Sequence, residues 1–174
     1  MTAHTAETIG TRRLTLRPLR VEDAEEMVAV LADPALHTFI GGAPASLDAL
    51  RSRYTRLVAG SPDPAVTWCN WVIELHDQGR LAGTVQATLS PSPPGVAAEI
   101  AWVVGTPWQG RGIATEAAIG LVAWLERRHV HTVIAHIHPD HRASAAVATA
   151  AGLAPTDELH EGEIRWSRRS PHAA

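Results

Sequence analysis

A chain of 174 residues, 45% hydrophobic and 19% charged, has the balance of one globular domain with a full core, which excludes disordered, fibrous and two-domain classes. Its net charge is −3 and its fifteen cations, all arginine, are scattered, so no nucleic-acid partner is expected. A single cysteine, Cys69, rules out an internal disulfide and predicts a reducing compartment, with the thiol packed rather than reactive.

No apolar run approaches the ~18 residues of a membrane helix, and Met1 to Gly10 lacks the segments of a signal peptide. The expectation is a cytoplasmic protein without a membrane partner, monomer or homodimer, with a flexible leader over 1–10, one domain over 11–168 and a flexible tail over 169–174. From Arg13 the sequence alternates as Arg13-Leu14-Thr15-Leu16-Arg17, an edge strand that Pro18 ends. Leu19 to Asp33 predicts a helix with Glu22, Asp23, Glu25 and Glu26 in its first turns, where negative charge suits the dipole. That cluster is either a solvated face or an attractor of cationic substrate.

Pro34 breaks the helix, and His37 to Pro44, with Gly41-Gly42, reads as a flexible joint. Ser46 caps a second helix that presents Leu47, Leu50, Tyr54, Leu57 and Val58 on one face and stops at Gly60. Trp68 to His76 and Arg80 to Leu89 form an antiparallel hairpin about Asp77-Gln78-Gly79, and Ser90 to Gly95 is too proline-rich for a strand.

An apolar run from Ala98 to Val104, broken only by Glu99, predicts a mostly buried strand that Gly105, Thr106 and Pro107 stop. The tight turn Gln109-Gly110-Arg111-Gly112 follows, and then Ile113, Ala117, Leu121, Trp124 and Leu125 recur at helical spacing as far as Arg128. Glycines let the backbone approach a ligand, and the first amides of a helix lack partners, so this turn suits a phosphate. A dinucleotide fold is excluded because Thr115 stands where its third glycine or alanine belongs and the next strand ends near His138 with no acidic residue to hold a ribose. A P-loop needs a Gly-Lys pair, and the chain has no lysine. His131 to His138 is a strand, Arg142 to Ala151 a helix ended by Gly152, and Leu153 to Leu159 and Glu163 to Arg168 two last strands. The order is α/β without repeats.

The run Gln109-Gly110-Arg111-Gly112-Ile113-Ala114 resembles the Q/R-x-x-G-x-G/A turn of the GNAT superfamily of N-acetyltransferases. Ala97-Glu99-Ile100 before it and Thr115-Glu116-Ala117 after it look like the branch of ribosomal-protein N-terminal (alanine/serine) acetyltransferases. The resemblance covers nearly the whole chain and implies the GNAT fold: a central mixed, mostly antiparallel sheet of six to seven strands flanked by about four helices, splayed between the fourth and fifth strands. It implies acetyl-CoA as acetyl donor, held at its diphosphate by Gln109, Gly110, Arg111, Gly112, Ile113, Ala114 and Thr115 and along its pantetheine arm by Trp102, Val103 and Val104. It implies direct transfer in a ternary complex to a primary amine, either a protein N-terminus or a small-molecule or antibiotic amine. His37, Phe39, Ile40 and Tyr54 fall where that family lines its acceptor site.

Such a transfer requires a neutral amine, a stabilised oxyanion and a proton for the departing thiolate. Glu99, the one charge in an apolar strand, is the candidate base, its pKa raised by such surroundings unless it lies on the wet side or pairs with a cation. Glu116, in the first turn of the coenzyme helix, suits the dipole instead. A bulge near Trp102 or Val103 would free an amide for the oxyanion. For the thiolate, Ser144 matches a serine of the ribosomal-protein branch, whereas His141 replaces a familiar asparagine and Ala148 a familiar tyrosine, so Ser144 and His141 share the proton-donor and coenzyme-contact roles. Trp71, with Trp68, Trp102 and Trp108, either stacks on a flat acceptor or fills the core. His136-x-His138, with His141 nearby, invites a metal reading, but too few carboxylates and no cysteine lie close, and none is expected. A non-catalytic acyl-CoA sensor on the same fold is the alternative to an enzyme.

Overall fold

The computed structural model describes residues 4–169. Its frame is an antiparallel run of strands: β1 (Ile9–Gly10), β2 (Leu14–Pro18), β3 (Thr67–Leu75), β4 (Leu81–Ser92) and β5 (Gly95–Val104). Alternation sets the register, with Leu14 and Leu16 fully buried and opposite Leu75 and Ile73. The helix α4 (Ile113–Glu126) then carries the chain across one face, which lets β6 (Thr132–Ile137) run parallel to β5. The strands β8 (Glu163–Arg169) and β7 (Ala154–His160) complete one eight-stranded sheet in the order β1-β2-β3-β4-β5-β6-β8-β7.

One face of the sheet packs against α4 and α5 (Arg142–Ala150), the other against α1 (Ala24–Val30) and α3 (Leu47–Ala59). Trp71 of β3 meets Trp124 of α4 edge to face at 5.2 Å, in the middle of the core, and the Arg128 guanidinium covers the far side of that indole at 4.0 Å. Among the described residues no helix is long and apolar enough to cross a membrane.

The parallel pairing that joins β5 to β6 is short. It holds from Ala97 to Glu99 against Thr132 to Ile134, and then the strands part, although β5 continues to Val104 and β6 to Ile137. The sheet is therefore split ahead of Glu99, as expected.

Several elements differ from their sequence reading. The sheet has eight strands because Ile9 and Gly10, expected in a leader, pair with Leu16 and Thr15, and Ile9 is buried. The Glu7 carbonyl also accepts a bond from Trp71 Nε1 at 2.8 Å, so the segment is anchored. Residues 1–3, and the expected tail beyond Arg169, lie outside the described residues. A fifth helix, α2 (His37–Ile40), occupies the expected joint. The first helix begins only at Ala24, after a 3-10 turn over Val21–Asp23.

Ser90 to Gly95 continues the hairpin: Pro91 pairs with Val96 and Ser92 with Gly95. Pairing of β4 with β3 stops at Leu89, so Pro91 faces no third strand that would need its missing N–H. Three of the four residues of the acidic cluster have structural partners. Asp23 holds Arg17 at 2.6 Å and the Arg20 amide at 2.8 Å, Glu25 pairs with Arg51, and Glu26 accepts from the Leu81 amide at 3.2 Å.

Candidate active site

The turn after β5 takes its shape from two left-handed glycines, Gly110 at φ 74° and Gly112 at φ 73°, a conformation that side-chain-bearing residues adopt only at a cost. Gly112 caps α4, and the first helical bond closes from the Glu116 amide to the Gly112 carbonyl at 3.0 Å. The amides of Ile113, Ala114 and Thr115 are thus left without intrahelical acceptors. Gln109 Nε2 donates to the Val104 carbonyl at 3.0 Å and pins the turn to the end of β5. Glu116 does more than suit the dipole: its carboxylate takes Thr11 Oγ1 at 3.0 Å and Arg13 Nε at 3.2 Å.

These amides face a cavity of about 600 Å³ in the gap that the parted strands leave. Trp102, Val103 and Val104 form one wall; Gln109, Gly110, Gly112, Ile113, Ala114 and Thr115 form the end; the start of α5 forms the other wall. Arg111 is the exception among the expected coenzyme contacts. It lines a separate hollow of about 280 Å³ on the other side of the turn, with Arg12 and Arg13.

The proton-donor candidates stand together on α5. His141 occupies its N-cap position, and Ser144 Oγ lies 3.4 Å from His141 Nε2. Phe39 of α2 stacks flat on the His141 ring at 4.3 Å, and Phe39 and Ile40 both line the cavity, so α2 supplies part of its wall. Burial, and then the neighbouring His138, push His141 below the ordinary histidine value, so at neutral pH it is an uncharged ring with one donor and one acceptor.

Glu99 is elsewhere. Its side chain is 55% exposed, it does not line the cavity, and it bonds His136 Nδ1 at 2.9 Å. The apolar surroundings that the sequence suggested are absent: Glu99 sits where β5 and β6 part, against the imidazole of His136. The expected bulge is also missing: β4 and β5 stay in register from Gly83/Val104 to Ser92/Gly95, and divergence from β6 is what frees the edge of β5 at Trp102 and Val103.

A second chamber, of about 90 Å³, lies against α3 and shares Leu36, Ile40 and Val103 with the main cavity. His37 and Tyr54 line it. Trp71 borders it too, but its ring is fully buried and edge to face with Trp124, so it packs the core. Among the described residues no three potential metal ligands converge. His136 is taken up by Glu99 and the His160 ring at 4.8 Å.

Thr106 also lines the cavity, and the sequence reading passed over it. Its hydroxyl donates to Asp33 at 2.7 Å, and that bond, with a second from the Ala35 amide, holds the Asp33 carboxyl below its usual range. The local signal is Asp33 before Pro34, the signature of a capped turn, but its partner across the fold is not legible locally.

The model of the GNAT acetyltransferase domain matches residues 13–154. The chain belongs to the GNAT acetyltransferase family. This acetyltransferase is similar to a solved acetyltransferase from Agrobacterium tumefaciens, with 26% identity, 98% of each chain covered and a TM-score of 0.72. It shares the fold of RimL, a ribosomal L7/L12 alpha-N-protein acetyltransferase in complex with coenzyme A, at 19% identity and a TM-score of 0.76, covering 94% of this chain and 98% of that one. It shares it too with AAC(6')-Ib in complex with paromomycin and acetyl-CoA, at 17% identity and a TM-score of 0.75, covering 90% and 93%. No curated protein sequence matches.

Proposed function

We propose that this acetyltransferase is a cytoplasmic enzyme that moves the acetyl group of acetyl-CoA directly to a primary amine in a ternary complex. The observation that carries the reading is the glycine turn, whose free helical amides end a cavity of about 600 Å³ that follows the split edge of β5. A Cβ at Gly110 would meet nothing within 4 Å, so the backbone of the turn is open at that point. Two similar structures hold coenzyme A or acetyl-CoA.

The residues divide the work. The amides of Ile113 to Thr115 bind the diphosphate, and the unpaired edge of Trp102 and Val103 lies along the pantetheine and supplies an amide to the oxyanion. Ser144, bonded to neutral His141, passes a proton to the thiolate and is refilled through His141 or water. The acceptor approaches from the α3 side, where the second chamber meets Val103. RimL supports a protein N-terminal amine and AAC(6')-Ib an antibiotic amine, and both classes remain in the proposal. Release of free thiol from acetyl-CoA across peptides with free N-termini and aminoglycosides tests it. Release with one class identifies the acceptor, and tight coenzyme binding with no release for any amine defeats the transfer reading.

A further inference from the structure

The glycine turn has a back as well as a front. On its front Gly110 and Gly112 line the coenzyme cavity, and on its back Arg111 lines the hollow of about 280 Å³ that it shares with Arg12 and Arg13. The peptide between Arg111 and Gly112 therefore divides the two spaces. Its carbonyl is on the hollow side, where Arg13 Nη1 donates to the Arg111 oxygen at 2.9 Å. A trans peptide is planar and sends its C=O and N–H in opposite directions, so the Gly112 N–H faces the cavity. No hydrogen bond among the described residues uses that N–H.

What keeps the carbonyl behind the turn is Arg13, and Arg13 is itself held from several sides. Its amide and its Nε both donate to the Glu116 carboxylate, each at 3.2 Å, and its carbonyl accepts from the His76 amide at 2.9 Å. Thr11 Oγ1 donates to the same carboxylate at 3.0 Å. Glu116 stands on the first turn of α4, and its own amide bonds the Gly112 carbonyl at 3.0 Å, so the bonds close a ring from β2 through α4 to the turn.

The Arg13 and Glu116 side chains are 48% and 20% exposed and cancel each other's charge, so the pair adds little attraction for an anion. Its contribution is geometric. Glycine tolerates φ of either sign, so a peptide that precedes one can turn over at little cost, and here that would present an oxygen to the diphosphate in place of a hydrogen. The tether to Arg13 opposes that turn.

Resting on the coenzyme reading above, we propose that Arg13 is a positioning residue: by holding the Arg111 carbonyl behind the turn, it aims the Gly112 N–H at the diphosphate as one more donor beside the amides of Ile113 to Thr115.

Calorimetry with acetyl-CoA and with S-acetylpantetheine, which lacks the diphosphate, separates aim from packing. Arg13→Ala is expected to raise the Kd of acetyl-CoA about tenfold and to leave that of S-acetylpantetheine within about twofold of the parent. An acetyl-CoA Kd within about twofold of the parent, or equal weakening of both ligands, overturns the assignment. A readout that needs no variant is the Gly112 amide proton signal of the parent protein. It should move downfield on addition of acetyl-CoA and hold its place with S-acetylpantetheine, and a signal that acetyl-CoA leaves unmoved also overturns the assignment. A parent protein that fails to bind acetyl-CoA at all would instead sink the transferase reading beneath it.

Discussion

Ser144 touches His141, and both touch the cavity, so Ser144→Ala should cost about 10- to 100-fold in kcat while the acetyl-CoA Kd holds, as followed by thiol release and calorimetry. His141 titrates below its unfolded value of ~6.5, so the unfolded chain binds the extra proton first. Stability from this group is full above that range and is lost as pH falls through it. The urea midpoint should therefore drop from about pH 7 to pH 5, and less steeply in His141→Gln. Cys69 is 1% exposed with its thiol pushed up to about 11, and it should resist alkylation at pH 8 until the protein unfolds. The Ser46 cap, which takes the Ala49 amide at 3.2 Å, was legible because it depends on near neighbours in sequence. Glu99 and Trp71 were not. Alternation assigns residues to one of two faces but does not say which face a helix covers at that point along the strand.

The turn and helix after β5 were the most readable element, since glycine spacing, a stop signal and a helical period coincide there. Gly112→Ala should therefore lose ~1–2 kcal/mol of stability from the left-handed φ and weaken acetyl-CoA binding about tenfold, the two effects separated by urea titration and calorimetry. Gly83 carries no such local signal. A Cβ there would lie 2.1 Å from the Val103 carbonyl oxygen, so Gly83→Ala should force β4 from β5 at the site wall and cost ~1–3 kcal/mol or more, measured as a fall in Tm. The helix α2 escaped the sequence reading for a related reason: four residues beside two glycines have little helical propensity of their own, and the stack of Phe39 on His141 settles them.

At the scale of the molecule, the strand, helix, strand succession from β5 through α4 to β6 was legible, and that crossover accounts for the parallel pairing of β5 with β6. The β1 edge was not, because its two residues are held by long-range bonds such as that from Trp71 to Glu7. Acetyl-CoA at about 100 times its Kd should stabilise the fold by ~2.7 kcal/mol, raising Tm by roughly 5–10 °C in a scanning experiment. An unchanged Tm contradicts a built coenzyme cavity.

Because three residue pairs join β5 to β6, the sheet is two plates, β1 to β5 and β6 to β8, meeting along a narrow seam. A molecule lying in the gap beyond that seam bridges both plates, so the substrate acts as mortar. Amide hydrogen exchange in β6 and β8 should slow most when the gap is filled, and the enzyme would be stiffest at the moment its two reactants are held face to face.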